Sequence, residues 1–70
     1  MIEAKVYKLK EDVELNNNLT FKKNQEFEVV NKVVYMGGFM IPPDLQQYLH
    51  NWIITNPKLF FNDTRNWNRD

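Results

Sequence analysis

The stretch Val33-Val34-Tyr35-Met36-Gly37-Gly38-Phe39-Met40-Ile41-Pro42-Pro43-Asp44-Leu45 contains a strand, a two-residue turn, a returning strand and the opening of a helix. A Gly-Gly pair between apolar runs marks a tight β-hairpin, because both central residues of such a turn need positive φ. Pairing Met36 with Phe39 places Val34, Met36, Phe39 and Ile41 on one face and Val33, Tyr35 and Met40 on the other. Both faces are apolar, so the hairpin is either covered twice or leaves one side for a partner. Pro42-Pro43 ends the strand and suits a first helical turn, and Asp44 complements the positive end of the helix dipole.

Working outward, Leu45, Tyr48, Leu49, Trp52 and Ile53 recur at i, i+3, i+4, i+7 and i+8, which predicts an amphipathic helix over about 43–55. Asn56-Pro57 closes it, since proline cannot continue a helix. Beyond it, Lys58-Leu59-Phe60-Phe61 fits a last short strand or one helical turn, and Asn62-Asp63-Thr64 has turn composition. Upstream, Glu3 to Lys10 reads as a strand with Ala4 and Val6 on one face and Tyr7 and Leu9 on the other. Asp12-Val13-Glu14-Leu15, running into Asn16-Asn17-Asn18, reads as a turn or loop. Leu19–Lys22 and Glu26–Val29 each alternate with period two and are expected to pair as a hairpin across Lys23-Asn24-Gln25.

Composition agrees with a small folded domain. Of the 70 residues 43% are hydrophobic, enough to separate the chain from disordered segments, and the length leaves room for one domain, 1–70. Cysteine is absent, so no disulfide or thiolate site reinforces so short a chain, and five Phe, three Tyr and two Trp must supply the core. Nine basic residues balance nine acidic ones, which removes long-range attraction to nucleic acid or anionic membrane. No secretory leader or membrane-length apolar run is read, so a cytoplasmic location is expected.

The segment Leu19-Thr20-Phe21-Lys22-Lys23-Asn24-Gln25-Glu26-Phe27-Glu28-Val29-Val30 resembles the part of SH3 domains in which two alternating strands flank a basic diverging turn. Ala4-Lys5-Val6-Tyr7 is similar to the Ala-Leu-Tyr entry of that family. Asn24 stands where such turns favour glycine, and the paired tryptophan and acidic loop that go with polyproline binding are missing. The resemblance therefore implies an α+β, mostly β fold, an SH3-like antiparallel barrel or curled sheet with one C-terminal helix, and not that ligand. Tyr35-Met36-Gly37-Gly38-Phe39, Asn51-Trp52-Ile53 and Asn56-Pro57-Lys58-Leu59-Phe60 are also similar to small uncharacterised proteins of tailed phages of marine cyanobacteria, a likeness that implies no activity but places the chain in host cytoplasm.

Catalytic chemistry is thinly provided for. Without Cys or Ser, the hydroxyl groups are those of Thr20, Thr55, Thr64 and the tyrosines, and the single imidazole, His50, lies beside the helix stripe with no acid at helical spacing to orient it. No catalytic residue, metal ligand or cofactor site is assigned. Glu26 and Glu28 share a strand face that reads as solvated. Lys5, Lys22, Lys23 and Lys32 with Tyr7 or Phe21 have the types of a single-strand platform, but acids interrupt them, and structural roles for the aromatics are favoured.

What remains is surplus apolar surface. Ile54 projects opposite the helix stripe, and Arg65, Trp67 and Arg69 near the end are residue types common at binding hot spots. The expected function is a non-catalytic protein-binding accessory, in a phage setting a factor acting on a host or virion protein, through Tyr35, Met36, Phe39, Met40, Ile54, Arg65 and Trp67. The alternatives are a small-barrel nucleic-acid binder and a self-associating virion component.

Overall fold

A strand with apolar residues on both faces is stable only where neighbouring strands pair both its edges and other layers cover it, which places the Glu3–Lys10 run inside a sheet. The structure is a computed structural model and describes residues 2–16 and 19–67. In chain order the strands are β1 (Ile2–Leu9), β2 (Val13–Asn16), β3 (Leu19–Phe21), β4 (Glu26–Val30), β5 (Val33–Met36) and β6 (Phe39–Met40). They are followed by helix α1 (Pro43–Thr55), a 3-10 turn (Pro57–Leu59) and β7 (Phe60–Trp67). An antiparallel five-stranded sheet has the order β6-β5-β4-β1-β7, and β2 and β3 form a separate two-stranded hairpin. The sheet is open and does not close into a barrel.

Register explains which face each residue takes. Tyr7 pairs with Phe27, and Phe27 with Met36, so these residues share the inner face with Leu9, Val34 and Phe60. Helix α1 packs Leu49, Trp52 and Ile53 there, and the β2–β3 hairpin adds Phe21 with Val13, Leu15 and Leu19 at its margin. Trp52 is the hub. It stacks on Phe21 at 5.7 Å and meets Phe27 at 5.7 Å and Phe60 at 5.2 Å edge-to-face.

The hairpin tip forms as its glycines dictate. Gly37 and Gly38 have φ of 62° and 86°, and Met36 pairs with Phe39 and Tyr35 with Met40. The β4–β5 turn uses the same left-handed geometry without glycine, at Asn31 (φ 50°) and Lys32 (φ 67°). At the far end of α1, Asn56 turns back to donate from Nδ2 to the Trp52 carbonyl at 2.9 Å, satisfying a carbonyl that the helix leaves open.

Three sequence expectations are corrected. Leu19–Lys22 does not pair with Glu26–Val29: β3 pairs with β2, and β4 with β1 and β5. The intervening turn is anchored to the end of β1 instead, with Leu9 donating to the Gln25 carbonyl and Asn24 donating to the Leu9 carbonyl. Asn24 takes the left-handed conformation, φ 76°, that a glycine would otherwise supply. Val13–Asn16 is a strand and not a loop, since its alternation matches β3, although Asn17 and Asn18 lie outside the described residues. Asn62-Asp63-Thr64 is strand and not turn. The full-length pairing of β7 with β1, from Leu9 with Phe60 to Ile2 with Trp67, overrides its local composition.

Candidate functional site

The outer face of the sheet, away from α1, carries the polar cluster. Cross-strand pairs put Val6 beside Glu28 and Asp63, Ala4 beside Arg65, and Lys8 beside Glu26. Arg65 and Glu26 meet diagonally over β1, with Nη2 and Oε1 3.3 Å apart, an approach that needs the sheet to be coiled. Val6 lies between their cross-strand partners and is buried beneath, and Ala4 and Val30 are buried on the same face. The guanidinium stays wet while its stem covers apolar surface.

Glu28 is the least expected member. Only 5% of it is exposed, and its Oε2 is a buried side-chain atom without a hydrogen-bond partner among the described residues. Burial pushes its carboxyl above the ordinary glutamate range; the Arg65 charge opposes this, the Glu26 charge adds to it, and the Gly38 amide, donating to the carboxylate, opposes it. Glu26, Glu28, Arg65, Gly37 and Gly38 border an open cavity of about 490 Å³ at this end of the sheet. Two carboxylates face one guanidinium there, so the recess favours a cationic group over an anion.

The residues expected to bind a partner are not gathered on one surface. Phe39, 79% exposed, and the half-buried Met36 belong to the inner face, whereas Met40, 59% exposed, Tyr35 and Arg65 belong to the outer one. Ile54 is exposed on α1 and shares a shallow recess with Lys32 and His50. Trp67 pairs with Ile2 by its backbone; the reading of its side chain, and of Arg69, lies outside the described residues. Phe21 is buried against Trp52 and Phe27, so it offers no platform for a base. Half-buried His50 has no described cluster of acids around it, and among the described residues no group of three or more His, Asp or Glu is placed to hold a metal ion.

Glu28 is the residue the sequence reading misplaced, taking it as solvated beside Glu26. A signal was present. Its alternation with Phe27 and Val29 places Glu28 on a strand, and a strand flanked on both sides, as β4 is by Val6 of β1 and Tyr35 of β5, buries what the edge strand leaves exposed at Asp63.

The chain is thus an α+β protein in which an antiparallel sheet carries a helix on one face and a polar recess on the other. No family model matches it, and no curated protein or solved structure is significantly similar to it. No helix among the described residues is long and apolar enough to cross a membrane.

Proposed function

We propose that this protein is a non-catalytic protein-binding module whose contact surface is the β5–β6 hairpin tip with the adjoining Glu26–Glu28 recess. The observation that carries this reading is Phe39, a large apolar side chain four-fifths exposed on a turn held by two glycines. Such a side chain, already out of the core, brings large apolar area to a partner without unfolding any part of the domain. The partner segment that fits wraps the tip, with apolar surface against Phe39 on the inner face and against Met40 on the outer one, and a lysine or arginine at the recess on the outer face. An SH3-like arrangement is part of the same reading. Its support is the turn at Lys22–Gln25, closed by Gln25 donating to the Lys22 carbonyl, and the β2–β3 hairpin lying outside the main sheet. The segmental likeness to phage proteins supports a host or virion protein as the partner.

The test compares capture from lysate by the wild-type domain and by a Phe39→Ser, Met40→Ser double variant. A protein retained by the first and lost from the second is the expected result. Identical capture by both ends the proposal for this surface.

A further inference from the structure

The two margins of the five-stranded sheet differ. At the β5 margin, beside the two-residue β6, Gln46 caps the outward-facing backbone groups of Val34 with its side-chain amide. At the other margin β7 pairs, among the described residues, only with β1, and Phe61 to Asn66 are all exposed. Lys10 donates to the Leu59 carbonyl at 2.9 Å, which fixes the hydrogen-bonding phase of the β1–β7 ladder. Phe61, Asp63, Arg65 and Trp67 therefore turn their backbone groups toward β1, and Asn62, Thr64 and Asn66 turn theirs outward. The Thr64 N–H agrees with this phase, since Asp63 Oδ1 of the same strand caps it at 2.8 Å.

The sequence of this edge, Phe61-Asn62-Asp63-Thr64-Arg65-Asn66-Trp67, is self-complementary about Thr64. We infer that β7 pairs antiparallel with β7 of a second copy of this chain across a two-fold axis at Thr64, joining two sheets into one. In that register Thr64 faces Thr64, Asn62 faces Asn66, Asp63 faces Arg65 and Phe61 faces Trp67. The outward backbone groups of Asn62, Thr64 and Asn66 meet their counterparts, and the opposed charges occupy the non-hydrogen-bonded positions, where side chains come closest. Sliding by two residues either way preserves the backbone phase but sets Asp63 against Asp63 or Arg65 against Arg65. The charges thus select one register and repel the neighbouring ones.

The isolated chain holds these groups in exchangeable contacts. Arg65 and Glu26 form a half-exposed ion pair of the kind worth little in water, and the Asp63–Thr64 contact is replaced when Thr64 meets its counterpart. Pairing transfers Arg65 to Asp63 of the second copy and leaves Glu26 beside Glu28 without a described ion-pair partner.

Sedimentation of the full chain from micromolar to millimolar concentration is the test. The wild type is expected to shift from monomer to dimer mass. Asp63→Arg and Arg65→Asp each set like charges opposite one another twice and are expected to weaken association by about tenfold or more. An equimolar mixture of the two variants restores complementarity and is expected to regain dimer mass. Thr64→Pro removes an outward N–H that β1 does not use, so it is expected to sediment as a monomer with an unchanged circular dichroism spectrum. Wild-type protein that stays monomeric at millimolar concentration overturns the inference, as does a dimer indifferent to Thr64→Pro or a mixture no heavier than its components.

Discussion

Gln46 makes to Val34 the pair of hydrogen bonds that an adjacent strand would make. Its Oε1 accepts from the Val34 N–H at 2.8 Å and its Nε2 donates to the Val34 carbonyl at 2.9 Å, while Nε2 also reaches the Ile41 carbonyl at 2.8 Å. Val34 is fully buried, so these backbone groups have no water to turn to. One side chain of α1 thereby closes a sheet margin and fixes the angle at which the helix lies across β5. Replacing it by Ala leaves the Val34 N–H without this acceptor and is expected to cost about 1–3 kcal/mol. Gln46→Glu keeps the acceptor but sets a carboxylate against two carbonyls and is expected to cost at least as much. Urea unfolding followed by tryptophan fluorescence measures both.

Glu28 gives stability a defined pH dependence. Its carboxyl titrates at higher pH in the folded chain than in the unfolded one, so the folded state holds the proton more tightly. The resulting stabilisation is complete below the unfolded value and is lost as pH rises through the folded one. Glu28→Gln removes the charge and keeps the shape. At neutral pH it is expected to raise stability by about 1 kcal/mol, with the gain shrinking toward acid pH. Urea midpoints of both proteins across the mildly acid range check the sign.

Two turns with the same geometry predict opposite responses. Lys32 sits at φ 67° with a side chain that disfavours it, so Lys32→Gly is expected to stabilise the β4–β5 hairpin by about 1 kcal/mol. Gly37 and Gly38 have open space where a Cβ would go, so the cost of alanine there is backbone strain alone, about 1–2 kcal/mol at each position. Asn at Gly37 is expected to cost less than Ala. Thermal melts of the single variants separate these cases.

Trp52 touches aromatic rings from three separate strands, β3, β4 and β7. Trp52→Ala is expected to remove about 3–5 kcal/mol, comparable to the whole stability of a domain this small, and to leave the chain largely unfolded. Trp52→Phe, which keeps an apolar ring in place, is expected to remain folded with a lower urea midpoint. Far-ultraviolet circular dichroism distinguishes the two outcomes.

The parts of the fold legible in the sequence are those set by local chemistry. The Leu45-to-Ile53 stripe with Pro43 and Asn56-Pro57 marks α1, and Gly37-Gly38 marks the hairpin between Met36 and Phe39. The parts that escaped depend on distant partners. Glu26–Val30 alternates equally well against β3 or β1, and only the anchoring of Asn24 and Gln25 to Leu9 decides between them. Asn62 and Asp63 have low strand propensity, and the segment is extended because β1 offers a matching row of hydrogen-bonding groups. Glu28 was obscured for the same reason, since its burial follows from the central place of β4 between β5 and β1 and not from its neighbours in sequence.

The pairing of Ile2 with Trp67 joins the earliest strand to the latest. Until Phe60 and the residues after it dock, one margin of β1 remains bare. Pairings between such distant segments form slowly, and an uncovered strand invites other chains. Docking of β7 is therefore expected to be a late step of folding, and the state that precedes it, with one margin of β1 bare, is the most adhesive through which the chain passes.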